Sequence, residues 1–450
     1  MVIGGGPGGY VAAVKAAQLG KKTCVIEKNK FGGVCLNVGC IPAKVLLKSV
    51  SVLRDAQNAS SYGVVGVDPG QVKIDFDLLQ NRKSRIVQSL VNGVEGILTK
   101  NKVKKYHGEA SFVDAHTVRV GAEVITADNI IIATGSKAKM LPLDNAYNLP
   151  VYTSADILNM KSYPQTMVVI GGGAIGIEFA YYLAGIGVSI RIVEFLDRIL
   201  PMVDQDITEK VARRFQQMDV EIYTSARVTG LGRQAVSFER EGSAREIPCD
   251  AVLMAIGRSA EYDGLNLEAA GIAARNGAIA TDEYLRTNIP HIYAVGDVNG
   301  KMMLAHTASM EGVAAVEHIC GQSGKIRYAS IPSCIYIAPE IASVGLTEEQ
   351  ARARYGEVKV GTFPLLANGK AKIEGEEDGL VKVIAEPRYR EIVGVHLYCP
   401  HATDMIAELA LAMNLECTTD ELANTAHPHP TISETVQEAC HAAISRAIHW

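Results

Sequence analysis

Two cysteines, Cys35 and Cys40, stand five positions apart in Phe31-Gly-Gly-Val-Cys-Leu-Asn-Val-Gly-Cys-Ile-Pro-Ala-Lys44. Thiols at this spacing are compatible with two buried side chains, half of a zinc site, or a redox couple. Zinc needs two further ligands, and no other His or Cys lies near in sequence, so no metal is expected. A bridge across five residues has a geometric condition. A regular helix advances about 1.5 Å per residue, putting the two Cα atoms roughly 7.5 Å apart along the axis. Disulfides rarely exceed about 6.8 Å, so a bridge here requires a local break, which Gly39 is suited to supply. A strained bridge in a reducing compartment is expected to be catalytic.

A second group lies near the C-terminus, in His427-Pro-His429-Pro-Thr-Ile-Ser-Glu434. Thr431-x-x-Glu434 fits a helix capping box, while the prolines hold both histidines out of helical geometry. A carboxylate on one imidazole nitrogen would fix the tautomer and stabilise the cation. Lys44, four residues beyond Cys40, projects from about the same helical face.

The elements that position these groups are organised by an internal repeat. Gly4, Gly6 and Gly9 follow the apolar Val2-Ile3 and open a helical stretch to Leu19; Thr23–Ile26 then reads as a strand ending in Glu27. This βαβ unit allows a pyrophosphate to approach the helix N-terminus, with Glu27 facing a ribose. Met167–Ile170, Gly171, Gly173, Gly176, a helix through Ala184 and a strand Val188–Glu194 repeat it at one constant offset, distal acid included. The chain is therefore expected to carry two dinucleotide sites. Later strands end in small-residue turns at Gly135 and Gly257, and Ile292–Asp297 is another strand with an acidic end. Helices are expected at about 42–60 and 78–99. Beyond residue 330 the alternating Leu380–Ala385 and Ile392–Leu397, followed by helices at about 403–415 and 433–448, predict antiparallel strands in a separate α+β domain.

The chain has 450 residues, 48% of them hydrophobic and 21% charged, which suits an ordinary multidomain globular protein and excludes disorder. A net charge of −5 gives no field favouring nucleic acid or an anionic membrane. No apolar run reaches the roughly 18 residues of a bilayer span, and neither a signal nor a transit segment is expected at the N-terminus. The nine cysteines are scattered and odd in number, so a cytoplasmic protein is expected rather than a secreted disulfide scaffold.

Taken together, the Cys35–Lys44 segment, both glycine loops, Ala133-Thr-Gly135, Tyr293–Asp297, Met303-Leu304-Ala305-His306 and the C-terminal His-Pro segment resemble the pyridine nucleotide–disulfide oxidoreductases over nearly the whole chain. Leu36-Asn-Val-Gly-Cys-Ile-Pro42 is most similar to the branch of that family that oxidises dihydrolipoyl groups. The resemblance implies an α/β fold with two Rossmann-like dinucleotide-binding domains and a C-terminal α+β dimerisation domain. The expected divisions are 1–139 (FAD and the redox disulfide), 140–258 (NAD), 259–329 (a central part completing the FAD site) and 330–450 (dimerisation).

It further implies FAD at Gly4, Gly6, Gly9, Glu27, Lys44, Gly135, Asp297, Leu304, Ala305 and His306, and a nicotinamide nucleotide at Gly171, Gly173, Gly176, Glu194 and Gly257. Glu194 favours NAD over NADP, because a carboxylate there repels a 2′-phosphate. The implied catalytic set is a Cys35–Cys40 disulfide, Lys44 paired with Glu178, and His429 oriented by Glu434 and acting in the other subunit of a homodimer; His427 is structural. The implied reaction is oxidation of dihydrolipoyl groups, on the carrier of a 2-oxo acid dehydrogenase complex or the glycine cleavage system, with reduction of NAD. Two rivals remain: another disulfide or metal reductase of glutathione- or mercuric-reductase type, and a flavin-bearing scaffold without turnover. The chain end Arg446–Trp450 lacks the cysteine pair of the mercuric type.

Overall fold

The computed structural model describes residues 1–450. Its first layer is a parallel sheet in the order Ile292–Ala294, Ile130–Ile132, Val2–Ile3, Cys24–Glu27, Lys104–His107. Ile130, Ile131 and Ile132 are all buried, as expected of a strand covered on both faces. Helix Pro7–Gln18 packs on one face against helix Ala305–Ile319. Residues 259–329 are thus built into the first sheet, supplying an edge strand and a covering helix from the far side of the sequence.

A second parallel sheet runs Glu221–Tyr223, Ser189–Val193, Thr166–Ile170, Ala251–Met254, Val151–Tyr152. Met167, Val168 and Val169 at its centre are fully buried, so truncating one to Ala is expected to cost about 2–4 kcal/mol. The two sheets are joined where Ser136–Ala138 pairs antiparallel with Arg258–Ala260. The C-terminal part is an antiparallel sheet ordered Ser333–Ile335, Glu340–Gly345, Ile392–Cys399, Leu380–Ala385, Lys359–Pro364. Helices Ala402–Asn414 and Glu434–Ile444 cover it.

The helices expected at about 42–60 and 78–99 form as Cys40–Gln57 and Phe76–Lys100. A shorter helix, Gly33–Val38, precedes the first of them. By average composition Gly33–Gln57 is apolar enough for a bilayer span, although Lys44, Lys48, Arg54 and Asp55 interrupt any apolar run within it. The break at Gly39 and the ion pairs of Lys44 and Arg54 mark it instead as a site-bearing helix pair of a folded domain.

Candidate active site

Each glycine loop springs from the C-terminal end of a central parallel strand, the crevice in which doubly wound sheets bind ligands. Gly4 (φ 105°) and Gly171 (φ 109°) make the turns in backbone conformations that L side chains rarely adopt. A Cβ on Gly9 would stand 1.8 Å from the Gly4 carbonyl oxygen, and one on Gly176 would stand 2.0 Å from that of Gly171. Both positions therefore let helix and strand close together beneath the loop. The helices that follow, Pro7–Gln18 and Ala174–Gly185, have no side-chain cap, so their first N–H groups are free for an anion.

Glu27 and Glu194 do more than the sequence suggested. Glu27 accepts from the N–H of Gly5 and of Asn29, both at 2.7 Å. Glu194 accepts from Gly172 N at 2.5 Å and Leu196 N at 2.7 Å. Each acid fastens its own glycine loop to the next strand while still facing the cavity.

A single cavity of about 2190 Å³ joins both loops to the thiols. Gly4, Gly6, Glu27, Cys35, Cys40, Lys44, Gly135, Asp297, Leu304 and Ala305 line one part; Gly171, Gly173, Glu178, Glu194 and Gly257 line the other. Its extent, the uncapped helix ends and the side-chain-free loops fit two dinucleotides. His306 follows the cavity-lining Leu304 and Ala305, and its Nε2 hydrogen-bonds the Pro332 carbonyl at 2.8 Å. Ser136 and Arg258 were missed by sequence reasoning. Arg258 donates to Ser136 Oγ at 2.7 Å and to its carbonyl at 2.6 Å, and the Ser136 hydroxyl donates to Asp297. This places a guanidinium 3.9 Å from Asp297, one of the residues expected at FAD. The only local signal was the position of Arg258 directly after Gly257.

At the thiols, Gly39 (φ −146°, ψ −115°) breaks the helix between Cys35 and Cys40. A Cβ there would lie 2.9 Å from the Val34 carbonyl oxygen. Cys35 and Cys40 stand side by side as free thiols in hydrogen-bonding contact, the reduced form of the expected redox pair. Their proton affinities diverge. The bond from Cys35 lowers Cys40 to about 7 against opposing burial, helped by the Lys44 charge and a backbone N–H at the start of its helix. Cys35 is pushed well above the usual thiol range by that same bond and by burial. Cys40 is thus the more readily ionised sulfur of the pair.

Lys44 Nζ lies 2.9 and 2.8 Å from the two oxygens of Glu178, the latter on the helix of the second glycine loop. Glu178 also accepts from Tyr336 N at 3.0 Å, and the Tyr336 ring lies 4.4 Å from the ammonium. One ion pair therefore ties the thiol helix, the second nucleotide region and the C-terminal sheet together.

Glu434 serves in both expected ways. Oε1 meets His429 Nδ1 at 2.9 Å, and Oε2 accepts from Thr431 N at 2.8 Å. The capping box is only half made, since the Thr431 hydroxyl turns to the Pro428 carbonyl and to Ser433. The two histidines differ sharply. The His427 side chain is 3% exposed and bonded to Glu408, whereas that of His429 is 79% exposed. Neither His429 nor Glu434 lines the cavity of its own chain.

The chain belongs to the pyridine nucleotide-disulphide oxidoreductase family, matching its main region over residues 1–312 and its dimerisation domain over 331–440. It is 40% identical to a dihydrolipoyl dehydrogenase of Bacillus subtilis (strain 168), covering 100% of this chain and 99% of that one. A dihydrolipoyl dehydrogenase of Mycobacterium tuberculosis (strain ATCC 25618 / H37Rv) is 39% identical over the same shares. Among solved structures, LpdA from Mycobacterium tuberculosis superposes with a TM-score of 0.90 at 26% identity, covering 98% of each chain. The HOCl-induced flavoprotein disulfide reductase RclA from Escherichia coli gives 0.85 at 29% identity, again over 98% of each.

Proposed function

We propose that this chain is a dihydrolipoyl dehydrogenase: a homodimer that holds FAD and oxidises dihydrolipoyl groups to lipoyl while NAD+ is reduced to NADH. The bound nucleotides supply a two-electron relay and the final hydride acceptor. The observation that carries the reading is the thiol pair beside the Lys44–Glu178 ion pair, in one cavity with both glycine loops. In thiol–disulfide exchange the sulfur with the lower pKa leaves faster. Cys40, lowered to about 7, is the better leaving group, so attack falls on Cys35.

A substrate thiolate attacks Cys35 Sγ, the Cys35–Cys40 bond breaks, and its electron pair stays on Cys40 beside Lys44. The second substrate thiol then attacks its own mixed-disulfide sulfur and displaces Cys35, its proton passing to the departing Cys35 sulfur; lipoyl is released and the Cys35 thiol is left hydrogen-bonded to the Cys40 thiolate. His429 of the partner subunit takes the proton of the attacking thiol, with Glu434 holding its tautomer. Glu178 keeps the Lys44 charge on the Cys40 side of the cavity. Glu194 supports NAD as the nucleotide, and the carrier is the lipoyl-bearing protein of a 2-oxo acid or glycine-cleavage system. The scattered, odd-numbered set of nine cysteines supports the reducing cytoplasm in which we place the enzyme.

Full-length relatives at 37–41% identity favour this over a reductase of another disulfide. Steady-state rates decide: turnover with dihydrolipoamide and NAD+ is expected to exceed turnover with glutathione disulfide and NADPH by several orders of magnitude. Equal rates, or a flavin left oxidised by dihydrolipoamide, would overturn the reading.

A further inference from the structure

The wall of the second nucleotide region includes the segment after Glu194, of which Phe195, Leu196, Pro201 and Met202 face the cavity. This segment bears directly on the glycine loop. Leu200 N donates to Gly172 O at 2.9 Å, and Ile199 packs so closely that a Cβ on Gly172 would meet it at 2.8 Å. Leu200 is held at φ 49°, a strained backbone for a leucine. The segment ends at Asp204, which is buried and begins helix Gln205–Gln217.

What holds that end comes from the C-terminal sheet. Lys382, with a side chain 2% exposed, reaches Asp204 at 2.8 Å, Asp206 at 2.7 Å and Glu348 at 2.6 Å. Glu348 N donates to the second oxygen of Asp204 at 2.9 Å, and Arg352 braces Glu348 at 2.6 Å. Arg198, inside the segment, meets Glu349 at 3.2 Å. His396, the cross-strand neighbour of Lys382, donates to the Leu346 carbonyl and is kept neutral by burial, so it adds no charge. One buried cation from the dimerisation sheet therefore gathers carboxylates of two regions. A fold needing only stability is served as well by apolar residues at such a place.

We propose that Lys382 is a positioning residue for the second nucleotide: from the dimerisation sheet it sets the 195–204 segment, and through Leu200 and Ile199 the 171–173 loop, in the geometry that binds NAD. This rests on the proposed assignment of NAD to that loop. The test titrates NADH into the FAD-loaded dimer. Lys382→Met is expected to weaken NADH binding on the order of tenfold, with the rate of flavin bleaching by dihydrolipoamide unchanged. The paired variant Lys382→Met/Asp204→Asn, which leaves no unpaired charge on Asp204, is expected to recover the melting temperature but not NADH affinity. It also carries the test if the single variant does not fold. NADH affinity that stays at the parental value, or that returns in step with stability, overturns the proposal. An unmodified dimer that fails to bind NADH overturns this proposal and the NAD assignment together. One that binds NADH but ignores dihydrolipoamide overturns the proposed substrate alone.

Discussion

Lys44 and Glu178 meet at 2.8 Å across 134 residues of sequence, one turn of helix from Cys40. The ammonium is one of the groups that hold Cys40 ionised. Replacing Lys44 by Met removes that charge and leaves Glu178, 8% exposed at its side chain, without a counter-ion. Turnover is expected to fall on the order of a hundredfold, and the Cys40 titration to move above about 7. Steady-state kinetics and ultraviolet thiolate absorbance of the reduced protein check both.

Cys40 owes its acidity first to the bond from Cys35. In Cys35→Ala that bond is lost and only burial, which opposes ionisation, and the weaker help of Lys44 and the backbone remain. The Cys40 thiolate, present above about pH 7 in the intact dithiol, is expected to form only nearer the ordinary thiol value of 9. At neutral pH its rate of alkylation falls accordingly. A titration that stays near 7 would show that Cys35 is not the cause.

The two buried loop glycines separate the nucleotides. Gly9→Ala drives a methyl into the Gly4 carbonyl and is expected to yield protein without flavin. Gly176→Ala does the same at Gly171 and is expected to keep the flavin absorbance while NADH binding is lost. Absorbance spectra and NADH titration of the two purified variants read the difference.

His429 is exposed on its own chain and absent from its own cavity. His429→Gln is expected to lower turnover by roughly 10²–10⁴. If the ring acts across the dimer, mixing that variant with Cys40→Ser restores activity in heterodimers, which contain one intact site. Mixed dimers as inactive as both parents would exclude action across the interface.

The glycine loops, their distal acids and the strands around them were legible because each signal is local: turn glycines, an apolar run, an acid at a fixed distance. The same holds for Gly39, whose role follows from counting residues along a helix. What sequence could not show was made by distant chain. Arg258 and Ser136 come together only because Ser136–Ala138 pairs with Arg258–Ala260, and Lys382 finds Asp204 across 178 positions. The bond from the His306 ring to the Pro332 carbonyl is likewise made by distant chain and left no mark in the sequence. Glu27 and Glu194 were read as ribose acceptors from their place at strand ends; that each also gives one oxygen to its own loop and the other to the N–H two residues on is a matter of where those N–H groups point.

That internal clasp changes what nucleotide exchange costs. A loop that must order itself around its ligand loses conformational freedom at every encounter. Here both loops are already closed by a carboxylate of the chain, so an incoming dinucleotide meets a finished mould. Under the proposed assignment of NAD to the second loop, that site loads and empties once per catalytic cycle without repeated refolding of its walls.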